Sequence, residues 1–172
     1  MCDGGVMVTA SHLPKDRNGM KFFTLQGGFT KLEVQRMITL AQQHAEVWYD
    51  MGLIPPTSGP HAVFCSEWVN WMPHYQLQLK NALLKEVNGD HQRHSLSQVL
   101  HGLKIVLNAG NGSGGFFEQV LKDLGANVEA SIHTKPDPNF PFGVPNPEYA
   151  PMIEETTKAC VAANADLGIM LE

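Results

Sequence analysis

The chain has 172 residues, 43% of them hydrophobic and 17% charged, and a formal net charge of -5. That is enough for one ordinary domain or two small ones with a real core, which excludes wholesale disorder. Lys and Arg total only 12, so no basic face for nucleic acid is expected. No apolar run nears the roughly 18 residues of a membrane span. The opening MCDGGVMVTASH lacks the basic flank and apolar stretch of a secretory signal. Cys2, Cys65 and Cys160 are too few and too scattered for a disulfide framework or a zinc site. A reducing, cytoplasmic compartment is the expectation.

Gly5-Val6-Met7-Val8-Thr9-Ala10 is short, apolar and bounded by glycine, and reads as a buried strand. A polar stretch ending in Asn18-Gly19 reverses the chain, because both residues tolerate positive φ. Residues 20–25 read as a second strand pairing back on the first. Thr30-Lys31-Leu32-Glu33 is a capping box that opens a helix. Leu32, Met37, Leu40, Ala41, Val47, Trp48 and Met51 form its imperfect apolar stripe, and Gly52 with Pro55-Pro56 ends it. Residues 53–66 are a connection. A second helix is predicted over 72–87, with Pro73 in its first turn and Asn88-Gly89 as its stop. Leu77, Leu79, Leu83, Leu84 and Val87 supply its apolar side.

Residues 88–101 are polar and mark the expected domain boundary. Their histidines, His91, His94 and His101, read as solvated, because no carboxylate or cysteine stands at ligand spacing. After them the rhythm changes. Strands are predicted at 103–107, 128–132 and 167–171, and helices at 116–124 and 147–163, with a proline-rich loop over 133–147. Strand and helix alternate, which predicts a parallel α/β unit. Trp48, Trp68 and Trp71 read as packing residues. Glu148, Glu154, Glu155 and Lys158 read as a solvated helix face.

Gly110-Asn111-Gly112-Ser113-Gly114-Gly115 matches GxGxxG between a strand and a helix, the context of a dinucleotide fingerprint. The next strand should then end in an acid for the ribose, yet it ends Ala130-Ser131-Ile132-His133. The competing reading is a tight turn whose glycines let backbone pack closely. Ser11 follows the first strand, at the carboxyl edge where α/β sheets place ligands, and is a candidate nucleophile. His12 is its sequence neighbour, so the two need not face each other. On residues alone, the turn-former reading of Ser11 and Asn18 is the favoured one.

Thr9-Ala10-Ser11-His12-Leu13-Pro14 followed by Asn18-Gly19-Met20-Lys21 resembles the phosphoserine loop of the α-D-phosphohexomutases, the phosphoglucomutase/phosphomannomutase family. Its pattern is roughly T-(A/G)-S-H-N-P, then N-G-x-K. Three further stretches resemble the family in order: LKIVLNAGNGSGG over 103–115, Pro136-Asp137-Pro138-Asn139-Phe140-Pro141 with Pro145-Asn146-Pro147-Glu148, and Asn164-Ala165-Asp166-Leu167-Gly168-Ile169. The resemblance implies an α/β fold of two partial three-layer α/β/α units with mixed sheets. Residues 1–100 would be the C-terminal part of domain 1, and 101–172 domain 2, cut at or before the metal loop D-G-D-x-D-R. Glu172 stands where that loop's first aspartate is expected.

The resemblance further implies an intramolecular phosphotransferase that interconverts hexose 1- and 6-phosphates through a hexose bisphosphate. Ser11 would carry the phosphoryl group and His12 would hydrogen-bond it. Lys21 would be general acid/base or electrostatic stabiliser, and Asn18 and Gly19 would shape the substrate loop. Mg²⁺ would sit on the Ser11 phosphate, with Glu172 as a candidate ligand. The sugar-reading and phosphate-clamping domains would be missing partners, so the isolated chain is expected to be inactive. Leu13 departs from the pattern's asparagine. It motivates the alternative of a non-catalytic binding or regulatory relative, with the dinucleotide-binding domain as a lesser one.

Overall fold

The computed structural model describes residues 2–51, 67–89 and 97–172. They form two compact units. One comprises Met1–Thr9 and Asn18–Val69, the other Ala10–Arg17 and Asn70–Glu172.

In the first unit β1 (Gly4–Val8) pairs antiparallel with β2 (Met20–Thr24), from Gly4 opposite Thr24 to Val8 opposite Met20. This is the expected reversal, closed by the Thr9 N–H donating to the Gly19 carbonyl at 2.9 Å. A third strand, β3 (Gly27–Gly28), returns along β2. The expected burial of the first strand is not observed: every residue of β1 is exposed. A short apolar run between glycines does not by itself distinguish a covered strand from an open one. Phe22 is half-buried and its ring lies 5.6 Å from that of Phe29.

Helix α1 (Lys31–Asp50) starts at the predicted capping box. The Thr30 N–H and hydroxyl both donate to Glu33 Oε2 at 2.7 Å, and the Glu33 N–H donates to Thr30 Oγ1 at 3.3 Å. These bonds favour the charged form and hold the Glu33 carboxyl below its ordinary pKa. Thr30→Ala is expected to cost about 1 kcal/mol of stability in the first unit, read from its denaturant midpoint. Of the predicted stripe Met37 is half-buried, whereas Leu32, Leu40, Val47 and Met51 are exposed. The Trp48 side chain, Gly52, Pro55-Pro56, the connection 53–66, His91 and His94 lie outside the described residues.

The second unit opens with α2 (Met72–Asn88), which has Pro73 in its first turn and stops at Gly89, where φ is 58°. This helix packs with the C-terminal elements rather than ahead of a boundary at 88–101. The Tyr75 ring lies 5.6 Å from that of Phe116, and Lys80 Nζ donates to Asp123 Oδ2 at 2.7 Å. Trp68 and Trp71 are exposed rather than packed in a core, and Trp71 lies 4.7 Å from the His74 ring.

The core of this unit is built on β4 (Ile105–Asn108), whose four residues are all buried. It pairs parallel with β5 (Leu167–Met170), Ile105 opposite Leu167. Strand side chains alternate between faces. Ile105 packs with Leu121 of α3 (Phe117–Asp123). On the opposite face, Asn108 Nδ2 donates to Thr156 Oγ1 of α4 (Ala150–Ala163) at 2.9 Å. Helices on both faces make this an α/β/α layering, and explain why β4 is apolar without alternation.

Three predicted elements change. Residues 128–132 are not a strand: only isolated bridges join Asn127 to Lys104 and Ile132 to Asn108. The Ser131 N–H turns back on the Val128 carbonyl, and Ser131 Oγ accepts the Leu107 N–H that a ladder carbonyl would otherwise take. A 3₁₀ turn (Ser113–Phe116) precedes α3. Helix α4 starts at Ala150, because the Tyr149 N–H closes a turn on the Asn146 carbonyl and Asn146 Oδ1 takes the Glu148 N–H.

The Lys80 ammonium, then the Gln119 amide, hold the Asp123 carboxyl below its ordinary range. A depressed folded-state pKa stabilises at neutral pH and ceases to do so as pH falls through it. Both side chains are about a third exposed, so solvent screening keeps the pair under about 1 kcal/mol. Lys80→Met is expected to lower stability by that amount at pH 7. The difference from the parent should shrink steadily below about pH 5 in acid titration of the unfolding midpoint.

Candidate active site

The loop Ala10–Arg17 follows β1 in sequence and belongs to the second unit. It is folded by two turns, Leu13 N–H to the Ala10 carbonyl at 3.1 Å and Arg17 N–H to the Pro14 carbonyl at 2.9 Å. Ser11 has φ 54°, a left-handed conformation that strains a residue with a Cβ by about 1 kcal/mol. Its hydroxyl donates to Glu172 Oε1 at 2.6 Å. His12 Nδ1 lies 3.3 Å from Glu172 Oε2 and 3.4 Å from Ser11 Oγ. With an ionised Glu172, which only accepts, the contact is a hydrogen bond when His12 bears a proton on Nδ1. Serine, histidine and carboxylate thus meet across 161 residues of sequence, with the histidine and glutamate side chains still well exposed to an incoming ligand.

Glu172 reaches this point because β5 ends at Met170 and the Leu171 N–H continues onto the Asn108 carbonyl at 2.9 Å. Its carboxylate therefore sits past the carboxyl edge of the parallel pair, where α/β sheets hold ligands. The glycine-rich turn backs the same segment. A Cβ on Gly112 would stand 2.9 Å from the Glu172 carbonyl carbon, and one on Gly114 2.8 Å from Leu171 Cβ. A Cβ on Gly115 would overlap the Thr134 carbonyl oxygen. The glycines accommodate protein backbone, the close-packing reading rather than the dinucleotide one. The helix behind them has only seven residues, and no acid ends the segment at 128–132.

Beside His12 lies an open cavity of about 350 Å³, walled by Pro14 and Lys15 on one side and Pro138, Asn139 and Phe140 on the other. That is the size range of small-molecule sites. Lys15 Nζ donates to Asn139 Oδ1 at 2.7 Å. Asn139 in turn donates through its N–H and Nδ2 to Asp137 Oδ1, at 2.9 and 3.0 Å. Neither partner of the Lys15–Asn139 contact carried a sequence signal for it: one is a loop lysine, the other an asparagine in a proline-rich stretch.

Asn18, Gly19 and Lys21 belong to the first unit. Asn18 and Lys21 are exposed, and Lys21 stands on β2 opposite Met7. Gly19 closes the hairpin, where a Cβ would stand 2.7 Å from the Thr9 carbonyl oxygen. Among the described residues no group of three His, Cys, Asp or Glu could hold a metal ion. Ser11 and Glu172 together offer hard oxygen donors, the class Mg²⁺ selects, but fewer than its octahedral shell needs.

Residues 1–46 match phosphoglucomutase/phosphomannomutase alpha/beta/alpha domain I, and residues 81–172 match alpha/beta/alpha domain II of the same family. The chain belongs to the phosphoglucomutase/phosphomannomutase family. The domain II match begins at residue 81, ahead of the division expected near 100, and takes in the second half of α2. Similar curated proteins include the phosphomannomutase of Salmonella typhimurium, 35% identical over 99% of this chain and 34% of that protein. The phosphomannomutase of Escherichia coli is 32% identical over 99% of this chain and 34% of its own. A protein of Xanthomonas campestris named for phosphohexose mutases is 32% identical over 96% of this chain and 32% of its own. The chain spans about a third of the length of these relatives. No helix among the described residues is long and apolar enough to cross a membrane.

Proposed function

We propose that this chain is the phosphoryl-carrying part of a phosphohexomutase that interconverts hexose 1- and 6-phosphates through a hexose bisphosphate. The observation that carries the reading is the Ser11 hydroxyl, held in a strained backbone conformation and bonded to Glu172 at 2.6 Å. A positive φ at a reactive hydroxyl, beside a histidine and a cavity, supports reading the Ala10–Leu13 turn as a functional site. In this reading a sugar hydroxyl oxygen attacks the phosphorus of phosphorylated Ser11 as the bond from phosphorus to Ser11 Oγ breaks. The sugar proton passes to the neutral Lys21 amine acting as base, and Ser11 Oγ recovers a proton from the imidazolium form of His12, which returns to the neutral ring. The reoriented bisphosphate returns its other phosphoryl group by the same steps reversed. Asn18 and Gly19 shape the hairpin that presents Lys21.

Mg²⁺ would be held by the Ser11 phosphate and the Glu172 carboxylate with other oxygens, and would neutralise charge on the phosphoryl group in transfer. Residues that read the sugar belong, in this reading, to the two thirds of the relatives' length beyond this chain, and the isolated chain does not turn over. A cytoplasmic location fits hexose phosphate substrates. Leu13, exposed beside Ser11, favours a second reading, a relative that binds sugar phosphates without transferring the group. The two are separated by intact mass of the chain purified from cells and then incubated with a hexose 1,6-bisphosphate and Mg²⁺. A carrier gains one phosphoryl group that the Ser11→Ala variant does not gain. A binding relative keeps the parent mass while showing saturable affinity for the bisphosphate.

A further inference from the structure

We infer that Lys15 and Asn139 are positioning residues whose hydrogen bond holds the Ser11 loop in place independently of the phosphorylation state of Ser11. This rests on the reading of Ser11 as phosphoryl carrier. Among the described residues, side-chain bonds at two points join the loop Ala10–Arg17 to the rest of its unit. Ser11 and His12 bind Glu172. Four residues after Ser11, Lys15 binds Asn139 at 2.7 Å. Phosphorylation changes the first of these. The ester oxygen of phosphoserine has no proton to donate, and a phosphate near -2 repels a carboxylate unless a cation stands between them. The second attachment contains neither group and survives the change.

Its geometry is prepared in advance. Asp137 Oδ1 accepts both the N–H and the Nδ2 of Asn139, which fixes the amide so that Oδ1 faces the lysine. Asp137 is itself placed by its N–H donating to the Asn111 carbonyl at 2.9 Å, and the Asn111 amide donates to the Lys135 carbonyl at 2.8 Å. A continuous chain of hydrogen bonds therefore runs from the glycine-rich turn through the proline-rich loop to Lys15. Pro14, Pro138 and Phe140 line the same cavity beside this hydrogen bond. A phosphoryl carrier that alternates between charged and neutral forms needs such an attachment, since a displaced nucleophile loses much of its rate.

The test is amide hydrogen exchange by NMR on the whole chain. It reads Leu13 and Arg17, whose N–H groups close the two loop turns, against Val106 and Leu107 of β4 as internal standard. Lys15→Met and Asn139→Ala should each speed exchange at Leu13 and Arg17 about fivefold, the loss of one charge-assisted hydrogen bond partly offset by solvent. In a Ser11→Ala background, which removes the hydroxyl's bond to Glu172 and leaves only the longer His12 contact there, the same changes should give a larger acceleration, about tenfold or more. Lys15→Arg keeps the donor and should stay within about twofold of the parent. Unchanged Leu13 and Arg17 in both backgrounds overturn the inference, and so does an equal acceleration at Val106 and Leu107, which reports general loosening. The location of phosphate on the chain is a separate measurement, so failure of the carrier reading leaves these exchange rates unmoved.

Discussion

Replacing Gly115 by alanine is expected to destabilise the second unit by at least about 3 kcal/mol, the upper range for forcing atoms into a packed interior. Gly115 is buried in the 3₁₀ turn before α3, and the atom a Cβ would overlap is a backbone carbonyl oxygen, that of Thr134. A carbonyl cannot swing aside as a side-chain tip can. It moves only with the segment it belongs to, whose His133 carbonyl accepts the Asn111 N–H at 2.8 Å. Relief would therefore spread from α3 into the proline-rich loop. Gly89→Ala is the control. Gly89 has φ 58° and ψ -157° with open space around it, so only that glycine-favouring backbone conformation resists alanine, at about 1–3 kcal/mol. Urea unfolding with an unchanged slope should rank the two variants in that order. Equal midpoints would mean that the turn has room the geometry does not allow it.

Ser11→Ala should abolish phosphoryl uptake while leaving the fold intact. Ser11 is exposed, so losing its bond to Glu172 costs the unit about 1 kcal/mol at most. With no nucleophilic oxygen, covalent phosphate on the loop falls to background, a loss limited only by detection. His12→Ala should slow uptake by about a hundredfold, the lower range for removing the group that takes the proton from the attacking Ser11 oxygen. Lys21→Met should do likewise, since in the proposed reaction the Lys21 ammonium protonates the departing sugar oxygen during uptake. Mass spectrometry against time, with circular dichroism to show that each variant is folded, reads all three. A Ser11→Ala chain that still acquires phosphate removes Ser11 from the mechanism.

Local signals in the sequence carried much of the fold. The Thr30 capping box, the Asn18-Gly19 reversal and the Gly89 stop each depend on a few adjacent residues, and each appears in place. That β4 and β5 are strands of a parallel unit was legible because both are short apolar runs alternating with helical sequence. What failed depended on tertiary neighbours. Residues 128–132 look like a strand, but the Ser131 hydroxyl takes the Leu107 N–H and a turn replaces the ladder. The stripe of α1 and the apolar residues of β1 stay largely exposed, since periodicity tells which residues share a face and not whether that face is covered. At the site, Ser11 and His12 stood out through a resemblance in their loop, and Glu172 only by its place in a family pattern. That its carboxylate closes on Ser11 follows from the path of β5 past the glycine turn, a three-dimensional fact. Lys15 and Asn139 gave no local signal, because a lysine and an amide 124 residues apart are drawn together by two loops, not by any repeat.

The central claim is that Ser11 Oγ carries a phosphoryl group. Peptide mapping of the chain after exposure to a hexose 1,6-bisphosphate and Mg²⁺ tests it most directly, by locating covalent phosphate residue by residue. A single phosphoserine is expected in the peptide spanning residues 10–17, at Ser11, lost in Ser11→Ala. Phosphate at another hydroxyl, or none at Ser11 while the chain is folded and binds the bisphosphate, would contradict it.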